Sequence, residues 1–172
     1  MKRRRSARAP LFRSTEPDVY LIDTSAWIHI DEHRDRDSMW ALIDALIERG
    51  RIVACAQVLA ELRDNPMFIP HLKPYLDALQ AGDRNSDDPD YLRYVGRITY
   101  EHAGMAKALS WKTRADPYVI ALAELERYVV VVGETLARRP NTKIPGVCDM
   151  RGILWLPVDE FIECARKSVS EL

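Results

Sequence analysis

The chain has 172 residues, of which 47% are hydrophobic and 30% charged. This size and composition are typical of one globular domain with a substantial core. Its longest uncharged run has nine residues, and no apolar stretch follows the basic start, so neither a membrane protein nor a secreted precursor is predicted. Three cysteines without a C-x-x-C pair argue against a disulfide framework or a zinc ribbon. We therefore expect a cytoplasmic protein without membrane partners.

Charge is distributed unevenly along the chain. Residues 1–13 contain six basic side chains and no acids, whereas residues 14–172 contain 19 basic and 26 acidic residues. We predict a basic, flexible arm over residues 1–17, followed by a single domain over residues 18–172. The arm is either a solvated tail or a segment that attracts phosphate groups.

Apolar patterns predict strands that alternate with helices. In chain order they indicate a strand at 19–22, a helix around 39–47, a strand at 52–55, helices at 57–64 and around 75–80, a polar loop at 82–90, a long helix at 91–109, a helix from 116, a strand at 129–132, a strand at 153–156 and a helix at 158–167. The strands are continuously apolar, as in strands that are buried on both faces. This order predicts an α/β fold, a three-layer sandwich with a mainly parallel central sheet flanked by helices.

Four acidic residues adjoin these elements. Asp23 directly follows the first strand, Glu61 lies on the helix after the second strand, Asp116 begins a helix, and Glu134 follows the valine strand after one glycine. Ligands bind beyond the carboxyl ends of parallel strands, where these acids could converge. Crowded carboxylates repel one another unless cations bind among them, and oxygen ligands suit Mg²⁺ or Mn²⁺. Two such ions can activate water and stabilise the leaving oxygen in phosphodiester hydrolysis.

Each acid also has a purely structural interpretation. Asp23 and Asp116 both stand where a helix cap is expected. Glu61 is also explained as a solvated acid on a helix, and Glu134 lies in a turn-like Gly-Glu-Thr sequence. From the residues alone, both interpretations remain open.

The segments around these acids resemble the motifs of PIN domains. They are V-Y-L-I-D-T-S at Asp23, V-L-A-E-L at Glu61, A-D-P-Y-V-I-A at Asp116 and V-V-V-V-G-E-T at Glu134. The resemblance extends from residue 19 to about residue 161. K-I-P-G-V-C, which begins at Lys143, resembles a signature of a bacterial PIN-like branch. Glu134 stands where the family often has Asp, so Asp149 is the alternative fourth acid.

The resemblance implies an Mg²⁺- or Mn²⁺-dependent endoribonuclease. Because many small bacterial PIN domains are VapC-like toxins, it also implies the toxin of a type II toxin–antitoxin pair. The implied partners are RNA, a cognate antitoxin protein and a second copy in a homodimer. Asp23, Glu61, Asp116 and Glu134 would then hold the metal. The residues expected to orient a carboxylate or to contact phosphate are Thr24, Ser25, Lys112, Arg114 and Lys143.

Other functions have less support. The main alternative is a catalytically weak or inactive module of the same fold that binds RNA or protein; metal-dependent RNA cleavage distinguishes the two. A receiver-like phosphoacceptor domain is disfavoured because Asp23 alone, rather than an acidic pair, follows the first strand. His102 falls on the buried side of a predicted helix and is interpreted as a core residue. His29 and His33 have the spacing of a metal pair, but their acidic neighbours indicate a solvated face.

Overall fold

A computed structural model describes residues 18–64, 69–84, 87–107, 115–133 and 143–170. In chain order the elements are β1 (Tyr20–Ile22), α1 (Thr24–Glu32), α2 (Arg36–Glu48), β2 (Ile52–Val53), α3 (Ala56–Asp64), a 3₁₀ helix (Pro70–Tyr75), α4 (Leu76–Gln80), α5 (Pro89–Glu101), α6 (Ala103–Lys107), α7 (Asp116–Glu126), β3 (Val129–Val132), α8 (Ile144–Arg151), β4 (Trp155–Pro157) and α9 (Val158–Ser170). No helix within these ranges has the length and apolar character needed to span a membrane.

The four strands pair as one parallel sheet in the order β2-β1-β3-β4. Tyr20 lies opposite both Ile52 and Val129, and Val130 lies opposite Trp155. Helix α9 packs on β3 and β4, while α7 packs on β3, α5 and α8. The predicted α/β fold, with a parallel central sheet between layers of helices, is confirmed.

The central strands of the sheet are buried on both faces. Leu21 and Ile22 of β1 and residues 130–132 of β3 have no exposed surface. Tyr20 meets Phe161 of α9 edge to face, with ring centroids 4.9 Å apart. A strand covered on both faces requires apolar side chains at every position rather than at alternate ones, which accounts for the continuous valine run.

The prediction of one long helix over residues 91–109 is wrong. Helix α5 ends at Glu101, and His102, with φ −115° and ψ 52°, separates it from α6. His102 and Met105 are nevertheless buried, as the helical spacing predicts. The helical spacing indicates only which side chains face the core. It continues past His102 because the side chains before and after this break in the helix face the same core. The patterns did not predict α8 as an element, and they indicated α1 only as the helix that Asp23 would cap.

Candidate functional site

Asp23 joins β1 to α1 at the carboxyl edge of the sheet. Its backbone N–H donates to the carbonyl of Val131 at 3.0 Å, which continues the pairing of β1 with β3 by one residue. Its Oδ2 accepts hydrogen bonds from the backbone N–H of Ser25 (3.2 Å) and from the Ser25 hydroxyl (2.6 Å). Asp23 is therefore the N-cap of α1, and it is only 3% exposed.

Ser25 connects the start of α1 to the end of β3. Its Oγ accepts a hydrogen bond from the backbone N–H of Gly133 at 3.0 Å. A Cβ atom on Gly133 would lie 2.3 Å from the carbonyl oxygen of Ser25 and 2.7 Å from its carbonyl carbon. Because no larger residue fits without a backbone shift, Gly133 allows β3 to end directly against the helix start that carries Asp23.

Glu61 links two segments that are far apart in sequence. It lies on α3, is 8% exposed, and its Oε2 accepts from the hydroxyl of Thr24 at 2.6 Å. Its Oε1 accepts from the backbone N–H of Ala115 at 2.8 Å. Thr24 is the neighbour of Asp23, and Ala115 is the neighbour of Asp116. The carboxylate is therefore buried and bonded on both oxygens, which does not agree with a solvated helix acid.

Asp116 is the first residue of α7, and it is 7% exposed. The interpretation of Asp116 as the N-cap is wrong, because the cap lies one residue earlier. The carbonyl of Ala115 accepts from the N–H groups of Tyr118 and Val119, both at 2.9 Å, and the side chain of Ala115 makes no capping bond. In the first turn, the Asp116 carboxylate still lies at the positive end of the helix dipole.

These contacts bring three of the four predicted acids into one neighbourhood. In the part of the chain that the structure describes, the buried polar residues are Asp23, Glu61, Asp116 and His102. Acidic side chains are seldom buried to this extent unless they are paired, hydrogen-bonded or bound to a cation. Three of them at one sheet edge therefore form the candidate functional site.

Two buried cysteines lie close enough to Asp23 for its charge to affect the pKa of their thiols. Burial raises the pKa of the Cys55 thiol far above its usual range, and the negative charges of Asp83 and Asp23 add to this effect. Burial likewise raises the pKa of Cys148, with further contributions from Asp149 and Asp23. Both thiols therefore stay protonated in the metal-free chain, which does not favour a thiolate nucleophile. Asp23 itself is buried, which strengthens any interaction of its carboxylate with a cation.

The other predicted site residues are placed less centrally. Lys143 is partly buried and immediately precedes α8. Asp149, the alternative fourth acid, is exposed on α8, and its Oδ1 accepts from the indole N–H of Trp155 at 2.9 Å. Glu134, Lys112 and Arg114 lie outside the described residues.

Asp83 is a half-buried acid that the sequence patterns did not identify. Its Oδ2 accepts from the backbone N–H of Ala56 at 2.8 Å and so satisfies a donor at the start of α3. Burial raises the pKa of Asp83, although backbone N–H groups of Ala56 and Arg84 oppose this effect. The residue lies 27 positions from the helix end that it satisfies, so no local capping pattern could have revealed it.

His29 and His33 stack at the end of α1 with ring centroids 6.1 Å apart. The Nδ1 of His33 accepts a hydrogen bond from the backbone N–H of Asp35 at 3.0 Å. In a neutral ring this places the proton on Nε2, so neither nitrogen of His33 has a free lone pair for a metal. Both histidines are half-buried, so the predicted solvated face is not fully exposed at these positions.

The donor chemistry of the site fits a hard divalent cation. Carboxylate oxygens are the ligands that Mg²⁺ and Mn²⁺ prefer. Within residues 18–64, 69–84, 87–107, 115–133 and 143–170, no three His, Cys, Asp or Glu side chains are grouped closely enough to hold one ion. The type of donor therefore fits a metal, whereas a complete ligand set is not assembled within those ranges.

A family model matches most of the chain. Residues 20–169 match the family that is described as "Domain of unknown function (DUF4411)". The matched region contains the whole sheet and the candidate site. No curated protein matches the chain.

Proposed function

The chain belongs to the DUF4411 family, and we propose that it is an Mg²⁺- or Mn²⁺-dependent endoribonuclease that hydrolyses RNA phosphodiester bonds. One observation carries the proposal. The buried carboxylate of Glu61 binds Thr24 at 2.6 Å and Ala115 at 2.8 Å, and so holds the segments of Asp23 and Asp116 together.

The burial of these acids favours a functional role over a purely structural one. The hydroxyl of Thr24 and the N–H of Ala115 need only an acceptor oxygen, which a neutral Gln would supply without a charge. Like charges at close range destabilise one another, and buried charges are costly to keep ionised. A cation that binds among Asp23, Glu61 and Asp116 would offset both costs.

The chain's own residues would supply position and charge. A divalent cation in such a site polarises water and stabilises the leaving oxygen of a phosphodiester. Ser25 and Thr24 hold the carboxylates of Asp23 and Glu61 in fixed orientations, as outer residues of metal sites do. Lys143, together with Lys112 and Arg114 outside the described residues, is the proposed contact for RNA phosphates.

The biological setting is part of the same proposal. The four segments that resemble PIN-domain motifs support a cytoplasmic, VapC-like toxin whose protein partner is an antitoxin. This part rests on the resemblance, whereas the metal-dependent chemistry also rests on the buried carboxylates.

A non-catalytic module is the second candidate, because the carboxylates of the site accept hydrogen bonds from protein groups without any metal. Both oxygens of Glu61 and the Oδ2 of Asp23 already accept bonds from protein groups. In that case the acids hold the segments in place, and the protein only binds RNA or another protein.

RNA cleavage separates the two candidates. Structured and single-stranded RNAs are incubated with wild-type protein and with Asp116→Asn in Mg²⁺, in Mn²⁺ and in chelator, with Glu163→Gln on the exposed side of α9 as the control. The nuclease proposal predicts cleavage that needs metal, falls by orders of magnitude in Asp116→Asn and persists in Glu163→Gln. RNA that stays intact with folded wild-type protein in both metals would favour the binding module. Equal cleavage by Asp116→Asn would place the activity elsewhere.

A further inference from the structure

Among the described residues, His102 is the buried polar residue that lies outside the candidate site. It is 7% exposed, and neither of its ring nitrogens has a hydrogen-bond partner within the described residues. Burying a polar group without a partner is costly, so buried histidines are normally hydrogen-bonded. An apolar side chain of similar size would fill the same place without that cost. The property that distinguishes histidine here is its ability to take up a proton near neutral pH.

The backbone of His102 belongs to two helices at once. Its N–H donates to the carbonyl of Ile98 at 3.0 Å and closes the last turn of α5. Its carbonyl accepts from the N–H of Met105 at 2.8 Å, at the start of α6. A residue at such a break can move outward at the cost of these two bonds, whereas a residue inside a helix is held by the turns on both sides. Any movement of the His102 side chain is therefore transmitted directly to the end of α5 and the start of α6.

Three charged side chains, among the described residues, act on the ring of His102. Arg151 of α8 bonds to Glu101 of α5 and to Glu124 of α7, in both cases at 2.7 Å. Burial lowers the pKa of His102, the positive charge of Arg151 lowers it further, and the two glutamates act in the opposite direction. Because both carboxylates are already bonded to Arg151, a protonated ring would have to compete with Arg151 for them.

We propose that His102 is an acid-sensitive switch, in which protonation of the ring releases the break between α5 and α6 from the core. The ring takes a proton from solvent, and both of its nitrogens then carry N–H groups that need acceptors. The buried ring has no such acceptor within hydrogen-bond reach in the described residues, so the charged form is favoured where the ring reaches water. Reaching water moves His102 outward and breaks its backbone bonds to Ile98 and Met105.

The direction of the pH dependence follows from which form binds the proton more tightly. The open form has an ordinary histidine pKa of about 6.5, and the closed form has a lower pKa. The closed form therefore keeps its full stability above about pH 6.5 and loses it as pH falls below that value, because opening takes up a proton. Between about pH 7.5 and pH 5.5, the equilibrium constant for opening should rise by up to about tenfold.

Amide hydrogen exchange of the full chain tests the inference. It is measured by NMR at about pH 7.5 and pH 5.5 and corrected for the intrinsic exchange rate at each pH. In wild type, the protection of the His102 and Met105 amides should fall by up to about tenfold in acid. Met105 should stay less protected than Val131 of β3 at both pH values, because the break opens before the sheet unfolds. The inference does not depend on the proposed nuclease activity, because its readout is amide exchange alone.

Substitutions assign the acid response to one ring. His102→Phe cannot be protonated, so the amide of residue 102 and that of Met105 should be equally protected at both pH values. His102→Gln, a second variant that does not titrate, should behave in the same way. His29→Gln removes a half-buried histidine at the end of α1 and should keep the full wild-type response.

Four results would overturn the inference. The first is wild-type protection that is equal at both pH values. The second is Met105 protection in acid that equals that of Val131, since the whole domain would then unfold together. The third is a wild-type acid response in His102→Phe or His102→Gln, and the fourth is loss of the response in His29→Gln.

Discussion

Replacing Glu61 with alanine should destabilise the fold, because one side chain holds two segments. The substitution removes the acceptor for the hydroxyl of Thr24 at 2.6 Å and for the buried N–H of Ala115 at 2.8 Å. Leaving a buried backbone donor unpaired costs about 1–3 kcal/mol. The hydroxyl of Thr24 is partly buried and can turn toward water, so its lost bond adds about 0.5–1.5 kcal/mol.

Repulsion within the cluster opposes this loss. Removing one of three neighbouring carboxylates relieves the remaining two, so the net destabilisation should be about 1–3 kcal/mol in metal-free buffer. Glu61→Gln keeps an oxygen for the N–H of Ala115, and the hydroxyl of Thr24 can reverse to accept from the new amide. Its metal-free stability should therefore lie close to that of wild type.

Urea unfolding in chelator measures these differences directly. Glu163→Ala on α9 is the matched control, because that glutamate is exposed and should change stability by less than about 0.5 kcal/mol. If Glu61→Ala unfolds at the same urea concentration as Glu163→Ala, the link through Glu61 is not a stabilising contact. If Glu61→Gln is as unstable as Glu61→Ala, the charge rather than the pair of hydrogen bonds stabilises the site.

Three further predictions test the surroundings of the site. Gly133→Ala should lower the melting temperature and weaken metal binding, because the new Cβ would lie 2.3 Å from the carbonyl oxygen of Ser25. A melting curve identical to that of wild type would contradict this close approach. Burial raises the pKa of Asp83, so the stability that its protonated form contributes is lost as pH rises through that raised value. Asp83→Asn keeps an acceptor for the N–H of Ala56 and should match or exceed wild-type stability in urea at pH 7. A clear loss of stability there would show that the charge of Asp83 is needed. Deleting residues 1–17 should weaken RNA binding and reduce its dependence on salt while leaving the melting temperature unchanged, and loss of folding would show instead that this segment is structural.

The fold was predictable where sequence pattern and burial report the same property. The run of residues 129–132 is β-branched and apolar throughout, and it forms the strand that pairs with both β1 and β4. The break between α5 and α6 at His102 was not predictable, since side chains on both sides of it face the core at the same helical spacing. Helix α8 begins with Ile144-Pro145, a favourable helix start, but it has only eight residues and little periodicity to detect.

The candidate site was predictable in its residues more than in its contacts. Asp23 and Asp116 could be selected because each adjoins the end of a predicted element, and Glu61 because it is an acid on an otherwise apolar helix. Their connection could not be predicted, since the hydrogen bond from Ala115 to Glu61 spans 54 positions and depends on how α3 and α7 pack. The capping residue of α7 was misassigned by one position because Asp is a good cap in general, whereas here a backbone carbonyl without a side-chain cap begins the helix.

Direct measurement of Mn²⁺ binding tests the central claim that the three buried acids contribute ligands, together with Glu134 outside the described residues, to a divalent-cation site. Isothermal titration of Mn²⁺ into metal-free protein is compared for wild type, Asp23→Asn, Asp116→Asn and the exposed control Glu163→Gln, each first shown to be folded. The account predicts saturable binding to wild type and to Glu163→Gln, with affinity that is strongly reduced in Asp23→Asn and in Asp116→Asn because each loses an anionic ligand. Equal Mn²⁺ affinity in all four proteins, or no binding to wild type, would contradict it.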